Sequence, residues 1–418
     1  MNESTYTPQS LYDLVQYLAA HSPFYQALFA KAGINPQQIK TVADLARVPV
    51  TTKEDIQQHN WDFCCVPREQ VAEYMATSGT LGNPVTLALT KNDLDRLAYN
   101  EYCSFLLAGG SVKDVYQLML TLDRQFMAGI AYYMGIRKLG AGQVRVGPGA
   151  PALHWETIRR VQPTVLVGVP SFLLKLIEFA QQQGIDLTQT PVNTVLCIGE
   201  TIRNPDGSLN RLGANIVSQW PVTLVGTYAS TEMQTAFTEC VYGQGGHLNP
   251  DLLLLELLDD NNQPVPDGEP GEVTITTLGV EGMPLLRYKT GDICIKNSAP
   301  CACGRTTPRL SGVLGRKKQM IKLKGTSFYP PALFDLLHQV SAVKDYAVEL
   351  HANEWGTDEV LLHLQVAGDT VETARQLKDL LRSRLRVIPE MRFVSGEELH
   401  HIQFPDGSRK ALKFIDRR

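Results

Sequence analysis

The sequence predicts an α/β protein with mainly parallel strands and a separate small α+β domain at its C-terminal end, on three observations. Short apolar strand-like runs alternate with helical patterns between about residues 115 and 230. From about residue 250 the texture changes to apolar runs joined by Asn-Gln-Pro and Pro-Asp-Gly turns. Past Gly315 a helix, strand, strand, helix, strand order occupies about 100 residues, the size of an independent domain.

Each element follows from its local pattern. SLYDLVQYLAA and SPFYQALFAKAGI repeat apolar residues at helical spacing behind a serine, and read as amphipathic helices. YMATSGTLGNPVTLALT sets a Gly-rich turn between two strand-like runs. VYQLMLTL, VRVG, TVLVGVP, TVLCIGE and VTLVGTY are short and apolar, with SFLLKLIEFAQQQG as a helix between two of them. That alternation gives a largely parallel sheet, whose ligands bind at the strand C-termini. LLLLELLDD and EVTITTL read as antiparallel strands of a β-rich subdomain, about 250–315, within a domain spanning 1–315. The charged stretch RKKQMIKLKG marks the boundary, near Arg316 to Lys318, with a lid domain at 316–418. There PALFDLLHQV and TARQLKDLLRSRL are helices, and DYAVEL, EVLLHLQV and MRFV are strands.

Composition narrows the partner. Lys and Arg total 39 against 43 Asp and Glu, a formal charge of -4, which argues against nucleic acid or an anionic membrane surface and for a small molecule. MNESTYTPQS carries no basic or apolar leader pattern, and no run reaches the length of a membrane span, so a cytoplasmic location is expected. The 8 cysteines are too few for a disulfide scaffold in this length of chain and are expected as thiols.

Five stretches carry chemistry. In the Gly-rich loop Thr77, Ser78, Gly79, Thr80 and Gly82 offer hydroxyls and backbone N–H groups to phosphate oxygens, without the Gly-Lys-Ser/Thr ending of a P-loop. GTYASTE, 226–232, ends an apolar strand with an aromatic and a carboxylate; LLRYKTGDI places Asp292 after a Thr-Gly turn; GRKKQMIKLKG spans the domain junction; GSRKALKFID contains Lys410. Singly each has an ordinary reading: a polar hairpin loop, a core tyrosine, a solvated acid, a turn cap, surface cations. Together and in this order they resemble the adenylate-forming superfamily of acyl-CoA synthetases, adenylation domains and luciferases. SPFYQALFAKAGI, TVADLARVPVTTKEDI and KGTSFYPPAL extend the resemblance over nearly the whole chain, to the phenylacetate-CoA ligase branch.

That resemblance implies a two-step reaction: a carboxylate attacks the α-phosphate of ATP to give an acyl-adenylate and pyrophosphate, then the thiol of coenzyme A displaces AMP. It assigns residues 77–82 to the leaving phosphates, Thr80 included. Glu232 is the Mg²⁺ ligand, since a hard cation prefers carboxylate oxygen. Thr227, Tyr228, Ala229, Ser230 and Thr231 form the adenine segment, Asp292 binds the ribose hydroxyls, and Arg316 reaches the ribose or phosphates. Lys410 is the catalytic point charge between carboxylate and α-phosphate. Lys318 is the hinge about which the lid swings, and Lys324 and Gly325 approach the thiol side. Three positions depart from the superfamily's common pattern: Asn83 stands for lysine in the phosphate loop, Lys289 for arginine, and Lys318-Gln319 for two acids after Arg316.

Cys240, His247, Cys301 and Cys303 supply the Cys₃His set of a structural zinc site, with a Pro and a Gly flanking the Cys-Ala-Cys pair. Small packing cysteines are the competing reading. Relatives in this branch can carry such a cluster, which favours zinc. Cys64, Cys65, Cys103, Cys197 and Cys294 are read as packing residues, and His154, His338, His351, His400 and His401 as surface or satisfied histidines.

The resemblance places the acid pocket among Phe126, Gly129, Tyr132, Val169, Pro170, Ile198, Gly199 and Ala229, whose mostly apolar walls suit an aryl or arylacetic acid. Asp123 is a candidate partner for a substrate amine or an N-cap. Two alternatives stay open: a stand-alone adenylating enzyme that passes an aryl or amino acid to a carrier-protein thiol or an amine, and a non-catalytic nucleotide-binding protein. A homodimer is also compatible with the sequence.

Overall fold

The computed structural model describes residues 9–77, 85–323, 326–352, 358–405 and 411–418. The chain folds as two compact units, Met1–Val313 and Leu314–Arg418.

The first unit begins with α1 (Leu11–His21) and α2 (Pro23–Ala32). Ser10 and Ser22 cap them by accepting N–H bonds from Asp13 and Tyr25, and Gly33, at φ 64°, ends α2 in the left-handed region. α3 (Lys53–His59) starts from a capping box in which Thr52 and Asp55 satisfy each other's backbone N–H groups. β1 (Val71–Ala76) and β2 (Thr86–Thr90) pair as an antiparallel hairpin, and α4 (Lys91–Leu107) follows.

The alternation read from the sequence then unfolds in order. It runs β3 (Val115–Leu118), α5 (Met127–Leu139), β4 (Gly142–Arg145), α6 (Pro151–Val161), β5 (Val165–Gly168), α7 (Pro170–Gln182), β6 (Thr194–Cys197), α8 (Arg211–Gln219) and β7 (Thr223–Ser230). These strands lie in the order β4, β3, β5, β6, β7, all parallel. β5 is buried along its whole length because helices cover both faces of the sheet, which is why it reads as an unbroken apolar run. Trp155, Leu173, Ile177 and Ile216 of α6, α7 and α8, with Trp220 just past the end of α8, pack in one cluster, while Phe105, Tyr132 and Ile136 of α4 and α5 pack in another.

The turn-rich segment extends the same sheet. β8 (Thr235–Glu239), β9 (Gly246–His247), β10 (Leu253–Leu258), β11 (Pro270–Thr277), β12 (Tyr288–Asn297) and β13 (Arg309–Leu310) are antiparallel to their neighbours. They continue it from β7 in the order β8, β9, β13, β12, β11, β10. β7 is therefore the strand at which parallel pairing to β6 gives way to antiparallel pairing to β8.

In the second unit Ile321–Leu323 and Thr326–Phe328 pair antiparallel. Glu390–Phe393, Asp358–Val366, Val343–Ala352 and Phe414–Asp416 form a sheet in that order, with helices Pro330–His338, Thr370–Leu385 and Gly396–Gln403. The helix, strand, strand, helix, strand order expected from the sequence is present. The helix Gly396–Gln403 and the short strand Phe414–Asp416 were not legible, since eight and three residues carry too little periodicity.

Candidate active site

β7 ends where the sheet changes pairing direction, and its last turn of sequence carries the aromatic and the acid. The Tyr228 hydroxyl donates to Asp292 Oδ2 at 2.9 Å, and its ring stacks on Phe237 with centroids 5.9 Å apart. Burial, reinforced by the Asp292 charge, holds the phenol well above its ordinary pKa. Thr227 Oγ1 lies 2.7 Å from Thr238 Oγ1; Ala229 and Ser230 pair with Ala236 and Thr235. Thr231 opens the turn to β8, in which Ser230 Oγ accepts the Met233 N–H at 3.1 Å.

Asp292 sits inside a strand, not after a turn as the sequence suggested. Glu272 of β11 pairs with Ile293 and Thr274 with Lys289, so residues 290–292 of β12 bulge opposite Val273. Gly291 takes φ 80° there, and Thr290 Oγ1 both donates to the Val273 carbonyl at 3.0 Å and accepts the Asp292 N–H at 3.1 Å. The Thr-Gly pair was a sound signal of irregular backbone; the flanking ladder made it a bulge.

Glu232 is 7% exposed, so it is not a solvated loop acid. Lys53 Nζ lies 3.4 Å from its Oε1. The lysine arrives because the segment before α3 is strapped to β12: Thr51 N–H donates to Arg287 O at 3.0 Å, and Lys289 N–H donates to Thr51 O at 2.8 Å. Sequence reasoning passed over Lys53. The capping box in TTKED marks a helix start, but no local pattern says which distant acid that start faces.

Thr77 closes the hairpin above the Gly-rich loop, donating its N–H to Val85 O and accepting Val85 N–H on Oγ1, both at 3.0 Å. Ser78, Gly79, Thr80 and Gly82 lie outside the described residues, as do Lys324, Gly325 and Lys410. Arg316 and Lys318 belong to the second unit and are exposed. The Lys318 carbonyl accepts Arg418 Nη2 at 2.7 Å and the Met320 carbonyl accepts Nη1 at 3.0 Å, so a side chain anchors the backbone at the expected hinge.

Of the expected pocket residues, Phe126, Tyr132, Val169 and Ile198 meet in one apolar cluster beside β3, β5 and β6. A Cβ at Gly129 would lie 2.2 Å from Thr121 O, so glycine lets α5 press on the loop after β3. Pro170 opens α7 and is buried; Gly199, at φ 75°, and Ala229 are exposed. Asp123 is exposed, accepts the Thr121 hydroxyl and faces Arg124 Nε at 3.8 Å.

Glu101 of α4, not singled out in the sequence, lies behind this cluster. Its Oε1 accepts from Asn100 Nδ2 at 2.9 Å, its Oε2 has no partner among the described residues, and burial pushes its pKa up to about 8. His154, expected at the surface or satisfied, is fully buried and half satisfied: Nδ1 lies 3.3 Å from Gln117 Nε2, Nε2 has no partner among the described residues, and burial pushes its pKa down to about 4. It packs edge-on against Phe172, 5.1 Å between centroids.

The four residues of the Cys₃His set do converge. Their ligand atoms all lie within 4.8 Å of one another. Cys240 follows β8, His247 lies in β9, and Cys301 and Cys303 sit in a tight turn closed by Gly304 N–H to Cys301 O at 2.9 Å. Burial, with Arg309 and Arg305 nearby, pushes His247 down to about 4, so its imidazole is neutral and can donate a lone pair. Its Nδ1 is 3.2 Å from Thr307 Oγ1, the kind of outer contact that orients a ligating ring. Cys65, Cys197 and Cys294 are buried; Cys64 and Cys103 are partly exposed.

The family model described as AMP-binding enzyme matches residues 15–282. Phenylacetate-coenzyme A ligase of Thermus thermophilus is 31% identical over 366 residues, covering 85% of this chain and 79% of that protein. Phenylacetate-coenzyme A ligase of Escherichia coli K12 is 30% identical over 321 residues, 74% of this chain and 70% of that protein. The crystal structure of 2-hydroxyisobutyryl-CoA ligase in complex with 2-HIB-AMP superposes with a TM-score of 0.84 at 24% identity, covering 98% of this chain and 88% of that one, a likeness of fold. Both the ordered motifs around β7 and β12 and the extent of these matches place the chain in the AMP-binding enzyme family, to which it belongs.

Proposed function

We propose that this protein is an AMP-forming ligase that activates an aryl or arylacetic acid with ATP and transfers the acyl group to coenzyme A. The observation that carries the reading is the convergence of Tyr228, Asp292 and the buried, lysine-paired Glu232 at the end of β7, in a chain 31% identical to a phenylacetate-CoA ligase.

In the first half-reaction a substrate carboxylate oxygen bonds to the α-phosphorus, and the bond from that phosphorus to the bridging oxygen of pyrophosphate breaks. Negative charge on the phosphate oxygens is met by preorganised donors and cations, the dominant source of catalysis in phosphoryl transfer. Glu232 is the assigned carboxylate for the Mg²⁺ that accompanies ATP, and residues 77–82 are the assigned donors for the leaving phosphates. Lys53, whose Nζ lies 3.4 Å from Glu232 Oε1, would add a positive charge beside the Mg²⁺ that Glu232 would hold. Asp292 accepts from the ribose hydroxyls, and Tyr228 packs on the adenine. Arg316 and Lys410 would come from the second unit, Lys410 as the charge between carboxylate and α-phosphate. In the second half-reaction the thiol sulfur attacks the acyl carbonyl, the carbon–oxygen bond to AMP breaks, and the thiol proton leaves to solvent; Lys318, Lys324 and Gly325 are the residues assigned to that rearranged state.

The Cys240, His247, Cys301 and Cys303 donor set fits zinc: three sulfurs and one neutral imidazole within tetrahedral reach. Zinc there would supply a structural cross-link between the β8–β9 and β12–β13 connections, with no open position for substrate.

The test is a pyrophosphate-release screen over aryl, arylacetic and amino acids, with coenzyme A present and absent. Release with an aryl or arylacetic acid, and acyl-CoA formed only with coenzyme A, is the expected result. Turnover that ignores coenzyme A and needs a carrier protein or an amine would reassign the acceptor, and no release with any acid would remove the reading.

A further inference from the structure

Antiparallel pairing between β7 and β8 runs from Ser230 with Thr235 to Thr227 with Thr238 and stops there. The next β7 residue toward its start, Gly226, keeps its parallel partner Cys197 on β6. On the other side its N–H is taken by a side chain: Gly226 N–H donates to Glu239 Oε2 at 2.8 Å. Glu239 is in turn held by Arg203, whose Nε lies 3.0 Å from both carboxylate oxygens. The pair is largely buried, with side chains 17% and 8% exposed. Arg203 also donates to the carbonyls of Gly207 at 3.2 Å and Leu224 at 3.3 Å, tying the loop after β6 to β7.

The same guanidinium lies against the cysteine-histidine turn. A Cβ on Gly243 would fall 2.1 Å from Arg203 Nη2, so any larger residue there would displace the guanidinium. Gly243 belongs to the turn from Cys240 to His247, and Cys240 directly follows Glu239. His247 pairs with Thr238 across β8 and β9. One arginine thus touches the loop after β6, the backbone of β7 and the turn bearing two of the four cluster residues. Tyr228 lies two residues beyond the N–H that Glu239 holds.

We propose that Arg203, acting through Glu239, is a positioning residue for the nucleotide site, and that metal in the cysteine-histidine cluster raises nucleotide affinity through this pair. The inference rests on the nucleotide-site reading above. Metal fixes the Cys240–His247 turn; the turn fixes Arg203 and Glu239; Glu239 fixes the Gly226 N–H and with it the course of β7 at Tyr228. A buried, multiply bonded ion pair suits this role, because it has one arrangement and loses much when a partner goes.

The experiment measures AMP binding by titration calorimetry on the full chain, zinc-loaded and after chelation, for wild type and Arg203→Met. Wild type should lose about tenfold in AMP affinity on chelation, in the range of outer-contact effects. Arg203→Met should start about tenfold weaker and change little further on chelation. In steady state Arg203→Met should raise the KM for ATP with kcat at saturating ATP within about twofold, and Arg203→Lys should recover part of the loss. Should Arg203→Met fail to fold, Glu239→Gln keeps an acceptor for Gly226 and weakens the link to Arg203, with a smaller loss expected. Unchanged AMP affinity in the variants, equal losses on chelation in wild type and variant, or a wild type indifferent to chelation would each overturn the proposal. A folded wild type that binds no AMP at all would instead bring down the nucleotide-site reading on which it stands.

Discussion

Among single residues, motif context separates what the sequence could say from what it could not. Tyr228, Glu232 and Asp292 stood out in the sequence because each sits in a motif with distinctive neighbours, and the structure brings Tyr228 and Asp292 into direct contact. Lys53 and Glu101 were not, because a lone lysine or glutamate on a helix is usually solvated and only tertiary packing says otherwise. Asp292→Ala should raise the KM for ATP about tenfold to a hundredfold, the loss expected for charged hydrogen bonds, checked by steady-state kinetics against ATP concentration. Glu101 gives a pH prediction. Its folded pKa of about 8 stands above the ordinary 4.5, so the unfolded chain binds fewer protons between those values. Its contribution to stability is therefore full below about 4.5 and is lost as pH rises through about 8, on the order of 1 kcal/mol per pH unit. Glu101→Gln, which stays neutral, should raise the melting temperature at pH 8.5 more than at pH 5. An equal shift at both would show that the carboxyl is already ionised at the lower pH.

Elements were readable where periodicity was strong and where special residues marked their ends. The helices behind Ser10 and Ser22 and the strands from β3 to β7 follow directly from pattern and cap. The strand bearing Asp292 was misread at its Thr-Gly step because a bulge and a turn share the same residue preferences, and only the partner strand tells them apart. The strap of Thr51 onto β12 left no mark in the sequence, since it depends on backbone groups that every residue has. The Cys-Ala-Cys turn was legible from composition, and its meeting with Cys240 and His247 bears out the cluster itself. If zinc occupies it, Cys303→Ser should lower the metal content of purified protein and the melting temperature together, read by elemental analysis and a thermal melt. Full metal content in that variant would exclude Cys303 as a ligand.

For the whole molecule, the change of texture near residue 250 marks the antiparallel strands, and the charged stretch near Arg316 lies close to the division between the two compact units. The sequence could not say that the turn-rich strands continue the parallel sheet, because strand order is set by non-local pairing. Among the described residues no helix is long and apolar enough to cross a membrane. If the second unit delivers Lys410 for the first step alone, Lys410→Ala should slow adenylation by about a hundredfold or more and leave thioester formation from preformed acyl-adenylate nearly unchanged. Equal losses in both half-reactions, measured by single-turnover kinetics, would contradict that division. The central claim, that the site at the end of β7 joins a carboxylate to the α-phosphate of ATP, is reached most directly by exchange of labelled pyrophosphate into ATP. The account predicts exchange that requires an aryl or arylacetic acid and Mg²⁺, proceeds without coenzyme A, and falls sharply in Glu232→Gln and Asp292→Ala. Exchange that is absent with every acid, or undiminished in both variants, would contradict it.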